Sequence, residues 1–325
     1  MPHTLVVGLG RSGGGLHVPV LERLRRAHPG VFAGHPIVGF DPRPGLTLGD
    51  VVPADSLDHA ATLVPPGDTV AHVCTPPEVR VPVLERLARL GFRRLVVEKP
   101  LAVDLASLAE IERLRDRHGL DLVVVTHWLA ATLTSRLAAL ARSVDAGPLE
   151  SIAVRQDKPR FGRSARDTAH ADAFDVEVPH ALAVALTLAG PAEVTGAGWT
   201  DPAARLAGAW LELRHHGGVR TTVHSDLTSP VRRREITLRL RNTAAVGHYP
   251  VSAEDHHAQL RVGDAPREVF EDEALGTFLL AAYRYFAGAE PAPPGPFALH
   301  ADVVRLLARA RDAAGRHEDV PAHAG

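Results

Sequence analysis

Thr4-Leu5-Val6-Val7-Gly8-Leu9-Gly10-Arg11-Ser12-Gly13 is the stretch on which the reading of this fold turns. Four residues of strand character end at a glycine. Leu16, Val20, Leu21 and Leu24 then recur at helical spacing. Glycines at 8, 10 and 13 permit a tight turn and let backbone approach a pyrophosphate seated at a helix N-terminus. Such turns are common by themselves. Here the turn lies between a first strand and a helix, at the head of a strand–helix series, which points to a dinucleotide site. Gly8, Leu9, Gly10, Arg11, Ser12 and Gly13 are therefore candidate cofactor contacts.

The series continues outward from this turn. Residues 37–40 form a second apolar run ending at Asp41. Ser56 can cap a short helix to residue 63, which Pro65-Pro66-Gly67 stops. Residues 69–75 read as a strand, followed by helical spacing at Val79, Val83, Leu84, Leu87 and Leu90. Residues 95–98 read as another strand. Asp104 can cap a helix carrying Leu105, Leu108, Ile111 and Leu114, with Gly119 at its end. Residues 122–126 close the series. Apolar strands separated by amphipathic helices imply parallel βαβ units. Right-handed crossovers bring the C-terminal ends of their strands to one ligand-binding edge.

The pattern changes after Trp128. A helix through residue 141 leads to a strand at 151–156, a mixed-charge loop at 157–175 and a helix at about 179–188. Strand-like segments follow at 194–199, 207–214, 219–227, 235–240 and 259–262, joined by short turns. Helices near 273–286 and 299–313 finish the chain, joined by a Pro-rich connector at 291–296, with a frayed tail expected after Gly315. The expected architecture is a Rossmann-type α/β domain over 1–126, followed by an α+β domain with a mainly antiparallel sheet over 127–325.

At about 150 residues per domain, 325 residues fit two domains. Net charge is −2, from 36 Lys+Arg against 38 Asp+Glu, which lacks the field of a general nucleic-acid binder. No apolar run reaches the roughly 18 residues of a membrane span. Strand-like residues begin almost at once, and Cys74 is the single cysteine. These features imply a cytoplasmic protein with no internal disulfide and no membrane partner. Lys99 and Lys158 are the only lysines in an arginine-rich chain.

Several residues could carry chemistry. Asp41, at the end of the second strand, can accept hydrogen bonds from an adenosine ribose and repel a 2′-phosphate, which favours NAD. Arg43 opens the alternative, since it could pair with the 2′-phosphate of NADP. Thr75-Pro76 and Glu98-Lys99-Pro100 end strands on the same edge as the glycine turn. Lys99 could hold negative charge on a substrate oxygen. His180, in the first turn of a helix, could accept an alcohol proton. Asp175 and Glu177 could orient its ring or cap that helix. His127, Lys158, Asp175 and Glu177 are candidate substrate contacts. Acids in the 157–175 loop region suit an amino sugar; the bases Lys158, Arg160 and Arg163 suit a phosphate, nucleotide diphosphate or carboxylate. The two sets could equally pair with each other. Cys74 reads as a small core residue. His215-His216 and His256-His257 lack metal spacing and read as turn or surface residues, so no metal site is assigned. Arg232 to Arg234 reads as a solvated edge.

Together these motifs resemble the glucose–fructose oxidoreductase, inositol dehydrogenase and rhizopine-catabolism (Gfo/Idh/MocA) family along essentially the whole chain. The resemblance rests on the glycine turn with His17 and Pro19 after it, on Thr75-Pro76, on Glu98-Lys99-Pro100-Leu101-Ala102, and on His180 ten residues before Gly190. It implies that Lys99 and His180 act on a substrate hydroxyl while nicotinamide takes the hydride. It also implies an open C-terminal sheet that often makes the contact of a homodimer or homotetramer. Two positions depart from the family pattern. Val176 stands where many members carry Asp, and Arg80 stands where many carry His.

The resulting expectation is an NAD-dependent oxidoreductase, with NADP as the alternative cofactor. It acts on a secondary alcohol or ketone of a sugar, amino sugar or cyclitol; arginine-rich, GC-rich coding associates this with specialised metabolism. Two other readings are a non-net-redox enzyme that recycles bound NAD (an epimerase, lyase or glycosidase) and a catalytically silent NAD-binding sensor.

Overall fold

The computed structural model describes residues 1–43, 45–46, 48–164, 166, 172–252, 255–292 and 295–318. It comprises two compact units, Met1–His127 with Leu275–Ala301, and Trp128–Ala274 with Asp302–Gly325. The division at 126/127 drawn from the sequence does not anticipate that residues 275–301 join the first unit.

The first unit holds a parallel sheet of β1 (His3–Val7), β2 (Val38–Phe40), β3 (Val52–Ala54), β4 (Thr69–Val73), β5 (Arg94–Glu98) and β6 (Asp121–Val125). Their order is β3-β2-β1-β4-β5-β6, the doubly wound order. The direction of winding reverses between β1 and β4, and the crevice at such a reversal is where ligands of these sheets bind. Helices α1 (Val18–Ala27), α2 (Leu57–Leu63), α3 (Arg80–Arg89) and α4 (Leu105–His118) connect the strands. The caps work as the residue types predict. Ser56 accepts from His59 N at 3.0 Å, Asp104 accepts from Ser107 N at 2.7 Å, and Gly119 ends α4 at φ +60°. Regular pairing of β4 stops at Val73 rather than Thr75. Cys74 N–H still donates to Val7 O at 2.8 Å, and the prolines that follow have no N–H to continue.

The second unit holds an eight-stranded sheet of β7 (Leu149–Asp157), β8 (Ala192–Trp199), β9 (Gly208–His215), β10 (Arg220–Asp226), β11 (Arg233–Leu240), β12 (Ala244–His248), β13 (His257–Val262) and β14 (Glu268–Glu271). The order is β14-β13-β12-β11-β7-β10-β9-β8. All pairs are antiparallel except β7 with β10, which are parallel because the chain leaves the sheet between them. Helices α5 (Thr132–Ala141), α6 (Phe161–Ser164) and α7 (Val178–Ala189) belong to this unit. α7 packs on β7 and β10 and is buried from Val178 to Leu186, so Ile152, Val154 and Val223 beneath it form a covered face. Trp210, Glu212 and His224 point to the other, open face.

Two helices end the chain, α8 (Ala274–Phe286) and α9 (Phe297–Glu318). α9 runs past Gly315, where fraying was expected; the rest of that tail, 319–325, lies outside the described residues. No helix among the described residues is long and apolar enough to cross a membrane.

Candidate functional site

The glycine turn is shaped by contacts that admit no side chain. Gly8 sits at φ +89°, and a Cβ there would meet the Cys74 carbonyl at 3.0 Å. A Cβ on Gly13 would lie 1.9 Å from Gly8 O. Both positions therefore require glycine. The turn does not open directly into α1. Residues Gly13–His17 form a π-helical turn, with Gly15 N donating to Gly10 O at 3.2 Å and His17 N to Ser12 O at 2.9 Å. Three consecutive glycines make this wide turn accessible, and such turns recur at functional sites. The N–H groups of Gly10, Arg11 and Ser12 have no acceptor among the described residues.

Ser12 and His17 converge on Glu98, at the end of β5. Ser12 Oγ donates to Glu98 Oε1 at 2.5 Å, and His17 Nε2 lies 3.0 Å from the same oxygen. His17 Nδ1 lies 2.9 Å from His72 Nδ1, His72 Nε2 lies 3.0 Å from Tyr283 OH, and Tyr283 OH lies 2.7 Å from Thr4 Oγ1. Thr4, His17, His72 and Tyr283 are all fully buried. Burial opposes charge on His17, but the neighbouring Cys74 sulfur and Glu98 carboxylate outweigh it and raise its pKa to about 10. Burial, followed by the His17 charge, pushes His72 well down. Burial would raise Glu98, yet the His17 and Ser12 bonds hold it well below the usual carboxylate range. These charges orient the whole chain. Cationic His17 donates to Glu98 and to neutral His72, His72 donates to Tyr283, and Tyr283 donates to Thr4.

Asp41 leaves β2 and is fully engaged by protein groups. Its Oδ2 accepts from Leu9 N at 2.7 Å and Arg43 Nη2 at 2.8 Å. Its Oδ1 accepts from Arg43 N at 3.0 Å and Arg43 Nε at 2.8 Å. The Arg43 fork lowers the Asp41 pKa to about 2 against the opposing effect of burial. The Asp41 side chain is 5 % exposed and that of Arg43 is 61 % exposed. The surface presented at this point is therefore a guanidinium rather than a carboxylate.

Arg80 occupies the inner side of the sheet edge. It is 1 % exposed and donates to Thr75 O at 2.8 Å, to Pro100 O, and to Leu101 O at 3.3 Å. It cross-braces the Thr75-Pro76 turn and the loop after Glu98 from a position where the resembled family often has His. Burial lowers its pKa to about 10. Within the braced loop the Lys99–Pro100 peptide is cis, and Lys99 N donates to Glu98 Oε2 at 3.1 Å. His127 follows β6 and opens the 3-10 turn His127–Ala130.

The remaining candidates lie in the second unit. His180 is 6 % exposed in the first turn of α7 and stacks on Trp128, with centroids 5.6 Å apart; Trp128 in turn stacks on Tyr249 at 4.0 Å. Glu177 occupies the N-cap of α7 but makes no capping bond; it pairs with Lys158. Asp175 takes Arg311 Nη2 at 2.5 Å, and Asp172 takes two further Arg311 bonds at 2.8 and 3.1 Å. The loop charges are thus largely paired within the protein, which was one of the alternatives open in the sequence. Arg163 lies in α6, while 165 and 167–171 of that loop lie outside the described residues.

Two sequence expectations are corrected. His215 is not a surface residue. It is 1 % exposed, and its ring nitrogens meet Gly190 O at 2.7 Å and Thr221 Oγ1 at 2.8 Å. Arg234 is not on a solvated edge, because its strand position turns it to the covered face, where burial lowers its pKa. Sequence reasoning did not single out His72, Arg80, Trp128, Tyr283 or Arg311 as site residues. A histidine inside an apolar strand, as at His72, and the departure from the family pattern at Arg80 were the available signals.

No family model matches the chain, and no curated protein matches it by sequence. Its fold is similar to that of several solved structures. An oxidoreductase from Thermotoga maritima shares 14 % identity over 97 % of this chain and 97 % of that one, with a TM-score of 0.76. KijD10, a 3-ketoreductase from Actinomadura kijaniata solved with NADP and TDP-benzene, shares 16 % identity over 97 % and 98 %, with a TM-score of 0.75. UDP-N-acetylglucosamine 3-dehydrogenase GnnA from Acidithiobacillus ferrooxidans shares 15 % identity over 97 % and 99 %, with a TM-score of 0.73. The likeness establishes a Rossmann-type parallel sheet followed by a mainly antiparallel one as the fold of this chain.

Proposed function

We propose that this protein is an NAD(P)-dependent oxidoreductase acting on a secondary alcohol or ketone of a sugar, amino sugar or cyclitol, as the Gfo/Idh/MocA resemblance implies. The observation that carries the reading is the Ser12–Glu98–His17 cluster. It ties the side-chain-free glycine turn to the loop bearing Lys99, at the C-terminal edge of a doubly wound sheet. The turn fits a dinucleotide: Gly8 and Gly13 let its backbone close tightly, a Cβ on Gly10 would meet nothing nearer than Arg43 Nη2 at 3.5 Å, and its free N–H groups suit a pyrophosphate. When bound, a nicotinamide supplies the hydride acceptor or donor.

The chain's own residues then have separate tasks. His180 accepts the hydroxyl proton as the C–H hydrogen leaves as hydride, and returns it in the reverse direction. The resemblance gives Lys99 the task of holding the negative charge that develops on the substrate oxygen. Glu98 stays ionised and turned toward Ser12 and His17, and one of its oxygens fixes the Lys99 backbone. Val176 is buried, so the family's usual carboxylate before the histidine has no equivalent at that position. The stack of Trp128 on His180 sets the imidazole plane instead.

For the cofactor, the Asp41–Arg43 fork favours NADP more than the sequence did. Every oxygen of Asp41 that could take ribose hydroxyls is engaged by Leu9 or Arg43, and the exposed guanidinium suits a 2′-phosphate. GnnA acts on a UDP-sugar by its name, and sugar nucleotides belong in the substrate panel for this chain. The test is Lys99→Ala assayed at 340 nm with NAD and NADP. Turnover falls at least about 100-fold while dinucleotide binding persists; a variant with normal turnover removes Lys99 from the reaction.

A further inference from the structure

The covered face of the second sheet carries a row of polar side chains that the fold leaves unused. Trp199 on β8 is opposite Ala209 on β9, and Ala209 is opposite Ser225 on β10. Ser225 is opposite Gln156 on β7, and Gln156 is opposite Arg234 on β11. Tyr249 N donates to Arg234 O at 2.9 Å and extends the row. Side chains alternate along a strand, so these residues share the face of Val154, Val223 and Ile236, the face that α7 and His180 cover. Among the described residues, Ser225 Oγ, Trp199 Nε1 and both amide atoms of Gln156 have no hydrogen-bond partner. Gln156 is 1 % exposed and Ser225 is fully buried.

An unpaired buried amide or hydroxyl is a net cost to the fold. Two residues earlier, the same strands carry Val154 and Val223, so apolar side chains suit this face. Arg234 adds a charge. Its Nη1 donates to Pro250 O at 2.7 Å, and no carboxylate oxygen lies within 4.0 Å of it among the described residues. Asp157, the acid nearest in register, faces the other side and pairs with Arg155 and Arg233. Glu177 is the acid that favours the Arg234 charge, and Lys158 already pairs with that carboxylate, so Arg234 and Lys158 share one counter-charge. Side chains on neighbouring strands stand about 5 Å apart, so the three polar ones span the reach of a substituted six-membered ring.

We propose that Ser225, Gln156 and Arg234 form a ligand shelf for a sugar or cyclitol that carries an oxyanion, either a carboxylate or a phosphate ester. Arg234 forks onto the anion, and the Gln156 amide and Ser225 hydroxyl serve adjacent hydroxyls, which both donate and accept. Naming the ligand a sugar or cyclitol rests on the oxidoreductase reading above; the anion preference rests on the row itself.

The test is calorimetric titration of the full chain with glucose, glucuronate and glucose 1-phosphate, for wild type, Arg234→Gln and Gln156→Leu. Wild type should prefer an acidic probe to glucose by roughly 10- to 100-fold, with the better acidic probe distinguishing carboxylate from phosphate. Arg234→Gln should abolish that preference. Gln156→Leu should weaken all binding yet raise Tm, because it removes an unpaired buried amide. Equal binding of acidic and neutral probes overturns the shelf. So does a preference that Arg234→Gln retains, or a Gln156→Leu protein that loses stability. If the preference depends on Arg234 but no probe supports NAD(P)-linked turnover, the shelf stands and the oxidoreductase reading falls. Turnover of glucose that is unaffected by Arg234→Gln, with no anion preference, does the reverse.

Discussion

Tyr283→Phe deletes one oxygen and strips two buried groups of their partner. Tyr283 OH lies 3.0 Å from His72 Nε2 and 2.7 Å from Thr4 Oγ1, in a region with no solvent exposure. The ring itself remains, so its contact with Phe32 at 4.3 Å survives and the apolar transfer energy is nearly unchanged. Each stranded group costs about 1–3 kcal/mol, so the variant loses roughly 2–6 kcal/mol. At about 2–4 °C per kcal/mol for a unit of this size, Tm falls by about 4–24 °C. The assay is a thermal melt at pH 7 followed by circular dichroism. A second variant separates hydrogen bonding from packing. Thr4→Val with Tyr283→Phe removes the stranded hydroxyl while His72 still holds His17, and should recover up to about half of the loss. A single variant that melts within about 2 °C of wild type, or a double variant no more stable than the single, would refute the buried chain as a source of stability.

The same chain predicts a pH dependence. The His17 pKa is raised from 6.5 to about 10, so its contribution is complete below about 6.5 and is lost as pH rises toward 10. His17→Asn should flatten that alkaline decline in Tm; an unchanged slope between pH 7 and 10 would assign it to other groups. Arg43→Gln should raise the NADP KM by about tenfold or more and free Asp41 to improve NAD binding, measured as the ratio of kcat/KM for the two cofactors; an unaltered ratio removes Arg43 from the selectivity. Arg80→Met leaves the Thr75 and Pro100 carbonyls without their shared donor. It should lower kcat at least about tenfold with dinucleotide Kd nearly unchanged, and Arg80→Lys should restore part of it; equal kcat in both variants and wild type rules out the brace as a positioning element.

The parallel sheet was legible because its signals are local. An apolar run, a glycine turn and a capped amphipathic helix each declare themselves within a dozen residues, as Ser56 and Asp104 show. The short strands were not. Val52–Ala54 contains a proline, Ala244–His248 is built of small residues, and Glu268–Glu271 is a four-residue edge; each is a strand because a neighbour pairs with it. The antiparallel character of the second sheet was readable from short turns, but the parallel β7–β10 pair depends on where the chain re-enters. At the site, Gly8, Gly13, Asp41 and Glu98 stood out as motif positions. Arg80 showed only as a departure from the family pattern, and Tyr283 not at all, because its role consists of bonds to residues 211 and 279 positions away. Arg234 was misread for a related reason: in a run of three arginines, strand parity decides which one turns inward.

The return of α8 to the first unit sets an order of events during synthesis. Thr4 and His72 emerge from the ribosome early, but the hydroxyl that satisfies both belongs to Tyr283. Until that residue is made, the young N-terminal sheet exposes the seat of α8 and holds two polar groups with nothing to bond. At about 5–20 residues per second, the wait is on the order of ten seconds or more. A fragment ending after β6 is therefore expected to aggregate or to need a chaperone, whereas supplying the α8 segment in trans as a peptide should complete it.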